Sequence, residues 1–142
     1  MAEMYQTPFF YKLLRVYSNT IYSRWFSSTE VNNEKVIPEN ASVIFAPNHQ
    51  NAFIDAMALL WSSPAPIVFF AIASIFGNKL VAKALNFFKI MPAYRMRDGY
   101  SNLKKNEESF EQAVKVLAHN EYFCLMPEGG QDEYRRLRPL VK

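Results

Sequence analysis

Cysteine is almost absent from this 142-residue chain, with Cys124 standing alone inside an apolar run. A single thiol excludes a disulfide framework and fits a reducing compartment. Long apolar runs are missing as well. The longest covers residues 65–72, extending to Phe76 only if Ser74 is allowed, whereas a spanning helix needs roughly 20 apolar residues. Residues 1–10 contain Glu3 and no basic leader followed by an apolar stretch, so no signal peptide is expected. Neither common glycine-rich phosphate loop is present, which argues against a nucleotide-binding module. A Gly-x-Ser-x-Gly nucleophile block is missing too. There is no long basic run, internal repeat or low-complexity tract. The formal net charge is +3 and the pI near 9.0. That excess is too weak to argue for nucleic acid, but it favours phosphate-bearing partners and anionic membrane surfaces.

What is present reads as an ordinary globular composition: half the residues are apolar, a fifth are charged and 15 % are aromatic. One domain is the natural count at this length. Residues 1–40 read as an N-terminal amphipathic helix and linker, and residues 41–142 as the body. The helix is expected over residues 9–26, with Phe10, Leu13, Leu14, Tyr17, Ile21 and Trp25 recurring at helical spacing after a Thr7-Pro8 start signal. It has two readings, a helix docked on the core or an interfacial helix with aromatics in a lipid headgroup layer. The two can hold on different faces.

Short apolar runs at residues 41–46, 67–73 and 122–126 predict buried strands, and residues 90–94 are extended. Helices are predicted over residues 52–61, 79–88 and 103–118, the last with Phe110, Val114 and Leu117 on its apolar face. Strands alternating with helices predict an α/β fold, a mainly parallel sheet flanked by helices. Ligand sites in such sheets lie beyond the C-terminal ends of the strands, and three polar clusters follow extended segments. After the first strand come His49, Asn51 and Asp55, where a carboxylate can hold one imidazole nitrogen protonated and leave the other to act as a base. After the segment at 90–94 come Tyr94, Arg95 and Arg97, whose guanidinium forks suit phosphate oxygens. After the run at 122–126 come Glu128 and Gly129, a carboxylate beside glycines that allow close backbone approach. Taken singly, each cluster also reads as a satisfied histidine, a solvated charged loop or a simple turn.

In combination, order and spacing, the three blocks resemble those of the phospholipid/glycerol acyltransferase superfamily, which includes the 1-acylglycerol-3-phosphate acyltransferases. Its histidine-aspartate block is matched by His49 and Asp55, its arginine-bearing block by Tyr94-Arg95-Met96-Arg97, and its Pro-Glu-Gly block by Pro127-Glu128-Gly129. Most of the family has four residues between histidine and aspartate; here five intervene, as in members with His-x-Asn before the aspartate. The extra residue turns a helical pair roughly 100° further, so the two meet if His49 precedes the helix and only Asp55 lies on it. Asn51 is the reserve partner. The family domain continues beyond its third block, so residues 41–142 are expected to be the N-terminal part of an acyltransferase domain, incomplete at the C-terminus.

The resemblance implies acyl transfer from a thioester, on coenzyme A or acyl carrier protein, to a hydroxyl of lysophosphatidic acid or a related glycerol phosphate. His49 would be the base and Asp55 its orienting partner. Asn51, Tyr94, Arg95, Arg97, Glu128 and Gly129 would bind substrate. No metal or other cofactor is expected, since the thioester serves as co-substrate, and His119 and Cys124 read as a surface and a core residue. The implied location is cytoplasmic, peripheral to the inner membrane surface. The rival reading is a catalytically inactive fragment that only binds membrane or phospholipid.

Overall fold

A computed structural model describes residues 4, 6–94 and 103–128. The apolar runs become four strands: β1 (Val43–Phe45), β2 (Ile67–Ile72), β3 (Ile90–Ala93) and β4 (Tyr122–Cys124). The helices are α1 (Phe9–Trp25), α2 (Ala52–Ser62), α3 (Lys79–Phe87) and α4 (Leu103–Ala118). Strand order is β1-β4-β2-β3 and every pairing is parallel. The expected parallel α/β architecture is therefore the observed one.

Alternation along the strands sorts their side chains onto two faces. Val68, Phe70, Met91 and Phe123 pack with Ala113, Val116 and Leu117 of α4. Ile67, Phe69, Tyr122 and Cys124 turn the other way, toward Ala56, Leu59 and Leu60 of α2. The sheet is thus covered on both sides, which is why its strands carry no charged residue. Ile67, Val68 and Cys124 are 0 % exposed.

Two helices present a different face from the one their apolar residues suggest. In α4 the inward stripe is Ser109, Ala113 and Val116, while Phe110 and Val114 are 58 % and 64 % exposed. Small residues beneath the helix let it lie close to the sheet. The larger ones flank the contact, with the Phe110 ring meeting Phe70 edge-on at 6.0 Å. In α1 the docked face is Tyr11, Arg15 and Tyr22, packed on α2. Arg15 donates to the carbonyls of Ser63 and Pro64 at the end of α2, where that helix's dipole favours a cation. Trp61 donates to the Ser23 hydroxyl at 2.9 Å, and its ring lies 5.7 Å from Tyr22. Phe10, Leu13, Tyr17 and Trp25 remain exposed.

Helix ends set where the strands begin. At the end of α4, Asn120 N–H bonds Leu117 C=O and Glu121 N–H bonds Val116 C=O, with Asn120 at φ 57°. This paired left-handed cap turns the chain into β4. At the end of α3 the same left-handed position is filled by Lys89, at φ 59°, a conformation that costs a non-glycine residue about 1 kcal/mol or more. Its side chain is 2 % exposed, with Nζ 3.6 Å from Glu121 and 5.7 Å from the centroid of the Tyr11 ring. Burial pulls this ammonium below the usual lysine pKa, and the Glu121 carboxylate opposes that pull. Tyr11 also donates to Ile67 C=O at 3.4 Å. Lys89, Glu121 and Ile67 stand at the N-terminal ends of three strands, so this cluster ties α1 beneath the sheet, at the end away from the three polar blocks.

Candidate active site

The chain leaves β1 at Phe45 and passes through a loop, bending at Gln50, to Asn51, which starts α2 with φ −136° and ψ 106°. Asn51 makes no side-chain cap to that helix. Asp55, one turn in, reaches back to do so. Its Oδ2 accepts the backbone N–H groups of Gln50 at 2.9 Å and Asn51 at 2.7 Å, and lies 3.2 Å from Nδ1 of His49. This settles the spacing geometrically. Of the five intervening residues, Gln50 and Asn51 are loop and Ala52, Phe53 and Ile54 are helix, and the two loop residues direct their N–H groups at one carboxylate oxygen. A carboxylate also suits the positive end of a helix. With Nδ1–H directed at Asp55, Nε2 is the basic nitrogen of the neutral ring. The two side chains are 16 % and 27 % exposed, so the pair is shielded yet reachable. Asn51 contributes its backbone N–H to Asp55 and keeps its side chain exposed.

Glu128 follows the neighbouring strand, β4, in the turn beyond it. Phe45 pairs with Cys124, so His49 and Glu128 each lie four residues past a paired position on adjacent strands. Glu128 is 2 % exposed, and its buried Oε1 has no hydrogen-bond partner among the described residues. Such an acceptor is costly to leave unfilled, and a ligand hydroxyl would satisfy it.

Tyr94 follows β3 at the same edge of the sheet. Its backbone is gripped by Asn106 of α4, whose Oδ1 accepts from Tyr94 N–H at 2.9 Å and whose Nδ2 donates to Tyr94 C=O at 2.6 Å. Lys105 Nζ stands 5.6 Å from the centroid of the Tyr94 ring. A cavity of about 250 Å³ opens beside it, lined by Tyr94, Lys105, Glu108, Ser109 and Gln112 among others. Arg95, Arg97 and Gly129 lie outside the described residues. The structure thus joins His49, in the loop after β1, to Asp55 on α2, sets Glu128 in the turn that follows the adjacent strand β4, and puts Tyr94 at the end of β3, beyond β2 from both. Asn106 had no signal in the sequence: an asparagine in the first turns of an amphipathic helix reads as surface.

Other reactive side chains stand apart. Cys124 is fully buried, and burial pushes its thiol up to about 12, so it stays protonated at neutral pH. His119 is exposed at the end of α4, with Nδ1 2.7 Å from Lys115 C=O. Among the described residues there is no cluster of three His, Cys, Asp or Glu that could hold a metal. None of the described helices is long and apolar enough to cross a membrane.

A histidine-carboxylate pair and a second carboxylate thus stand beyond the C-terminal ends of neighbouring strands of a parallel α/β sheet. A family model described as Acyltransferase matches residues 28–142. The chain belongs to the phospholipid/glycerol acyltransferase family. No curated protein and no solved structure matches it.

Proposed function

We propose that this acyltransferase moves a fatty acyl group from an acyl-coenzyme A or acyl carrier protein thioester to a hydroxyl of lysophosphatidic acid or a related glycerol phosphate in phospholipid synthesis. The observation that carries the reading is the 3.2 Å contact between His49 Nδ1 and Asp55 Oδ2 at the C-terminal edge of the sheet. Nε2 takes the acceptor hydroxyl proton as that oxygen attacks the thioester carbonyl. Asp55 stabilises the imidazolium that results. Collapse of the tetrahedral adduct breaks the carbon–sulfur bond, and the imidazolium returns its proton to the leaving thiolate. Arg95 clamps the acceptor phosphate, with Tyr94 and Arg97 beside it, so that proximity lowers the barrier. Glu128 and Gly129 complete the acceptor pocket; where the acceptor is glycerol 3-phosphate, Glu128 Oε1 receives the hydroxyl that does not react.

The same reading puts the chain at an anionic membrane surface, where acceptors of this kind reside. Its support is the outer face of α1, where Phe9, Phe10, Leu13, Val16 and Tyr17 are each more than half exposed. Lys12 and Arg24 are exposed on the same helix. Apolar side chains bordered by cations are the pattern of an interfacial helix. The Phe10 ring reaches Phe87 of α3 at 6.3 Å and extends the patch onto that helix.

The test is release of coenzyme A thiol from palmitoyl-coenzyme A in the presence of lysophosphatidic acid or glycerol 3-phosphate. Release should depend on acceptor and vanish in His49→Ala. Acceptor-dependent release that persists in His49→Ala would sink the mechanism, and binding of lipid without any turnover would favour the inactive-fragment reading.

A further inference from the structure

Among the described residues β3 is an edge strand, and its ladder with β2 ends at the pair Ile72–Ala93. One residue further on, β2 has already turned into a 3-10 helix, Ala73–Phe76. Among the described residues, Tyr94 is therefore left with a backbone N–H and C=O and no strand to pair with. Asn106 supplies both partners, accepting at 2.9 Å and donating at 2.6 Å. A side-chain amide presents an acceptor and a donor in one plane, as the peptide groups of a neighbouring strand do. Two bonds to one residue fix its direction as well as its place, and α4 is itself held to the sheet by Ala113 and Val116. Asparagine is a poor helix former, so propensity gives no reason for it at this point of α4.

We propose that Asn106 is a positioning residue for acceptor binding: by fixing the backbone of Tyr94, it sets the point and direction from which the chain enters the arginine-bearing block at Arg95. The inference rests on the reading that this block holds the acceptor phosphate. Positioning of this kind is sensitive, since misplacing a binding group by about 1 Å can cost roughly a hundredfold.

The experiment measures separate Michaelis constants for lysophosphatidic acid and palmitoyl-coenzyme A in the full chain and in Asn106→Ala, Asn106→Asp, Arg95→Ala and the Asn106→Ala/Arg95→Ala double variant. Asn106→Ala should raise the acceptor constant about ten- to a hundredfold and leave the thioester constant within about twofold. Asn106→Asp keeps the acceptor for Tyr94 N–H and should fall between. The double variant should be no worse than Arg95→Ala alone, because Asn106 acts through that block. A raised acceptor constant in Arg95→Ala with none in Asn106→Ala overturns this inference alone. An unchanged acceptor constant in Arg95→Ala removes the phosphate assignment and the inference with it. Circular dichroism melts accompany each variant. A lowered melting temperature with an unaltered ratio of the two constants, or failure of both Asn106 variants to fold, assigns the residue a purely structural role and also overturns it.

Discussion

Asp55 has two tasks in one oxygen, and they can be separated. Oδ2 takes the N–H groups of Gln50 and Asn51 and faces His49 Nδ1. Asp55→Ala removes the acceptor that the Gln50 and Asn51 N–H groups share at the start of α2, a loss of about 1 kcal/mol. The carboxylate's interaction with the helix dipole is worth about 0.5 kcal/mol more. Both N–H groups are exposed to water, which limits the total to about 1.5 kcal/mol. Asp55→Asn retains an oxygen at the same place. Because one oxygen serves all three donors, an amide oxygen can keep both the cap and the orientation of the ring, and lacks only the charge that stabilises the imidazolium. Stability should therefore change little in Asp55→Asn, and turnover should fall roughly a hundredfold, against roughly a thousandfold in Asp55→Ala. Urea midpoints at unchanged slope give the first quantity, and thiol release with saturating acceptor gives the second. His49→Ala/Asp55→Ala should be no slower than His49→Ala. Full additivity in that double variant, or an Asp55→Ala enzyme within about threefold of the parent, would refute the claim that Asp55 acts through His49.

Alkaline pH should expose the burial of Cys124. Its folded-state pKa is raised from 9.0 to about 12, so the unfolded chain gives up this proton first, and stability falls as pH rises from about 9 towards 12. At about 1.4 kcal/mol per unit the full span is about 4 kcal/mol. Comparing urea midpoints from pH 8 to 11, Cys124→Ala should be less stable at pH 8 but lose less on raising the pH; parallel slopes would contradict the assignment. At the surface, Leu13→Glu with Val16→Glu should weaken co-sedimentation with phosphatidylglycerol vesicles at least about tenfold. Equal sedimentation of parent and variant would remove α1 from the membrane contact.

Local chemistry was legible in the sequence wherever the determinants are local. The limits of α4, read from its periodicity as residues 103–118, coincide with the helix observed, and the apolar runs that became strands were visible because strands covered on both faces cannot carry charge. The faces of α1 and α4 were not legible. Periodicity finds the most apolar stripe, whereas packing selects the stripe that fits: Ser109 and Ala113 approach the sheet more closely than Phe110 and Val114 can, and Arg15 is drawn inward by carbonyls that belong to another helix.

The residue types of the candidate site, their order and their placement after strands were written in the chain itself, since a histidine, an arginine or a glutamate after an apolar run needs no partner to be seen. The tertiary structure alone decided the strand order β1-β4-β2-β3, which places the blocks of His49 and Glu128 just after adjacent strands although they are far apart in sequence. It also decided that Lys89 could take a left-handed cap, because Glu121 and Tyr11 wait there, and that Asn106 would complete the end of β3. Each of these depends on groups distant along the chain meeting in space, and no local pattern encodes such a meeting.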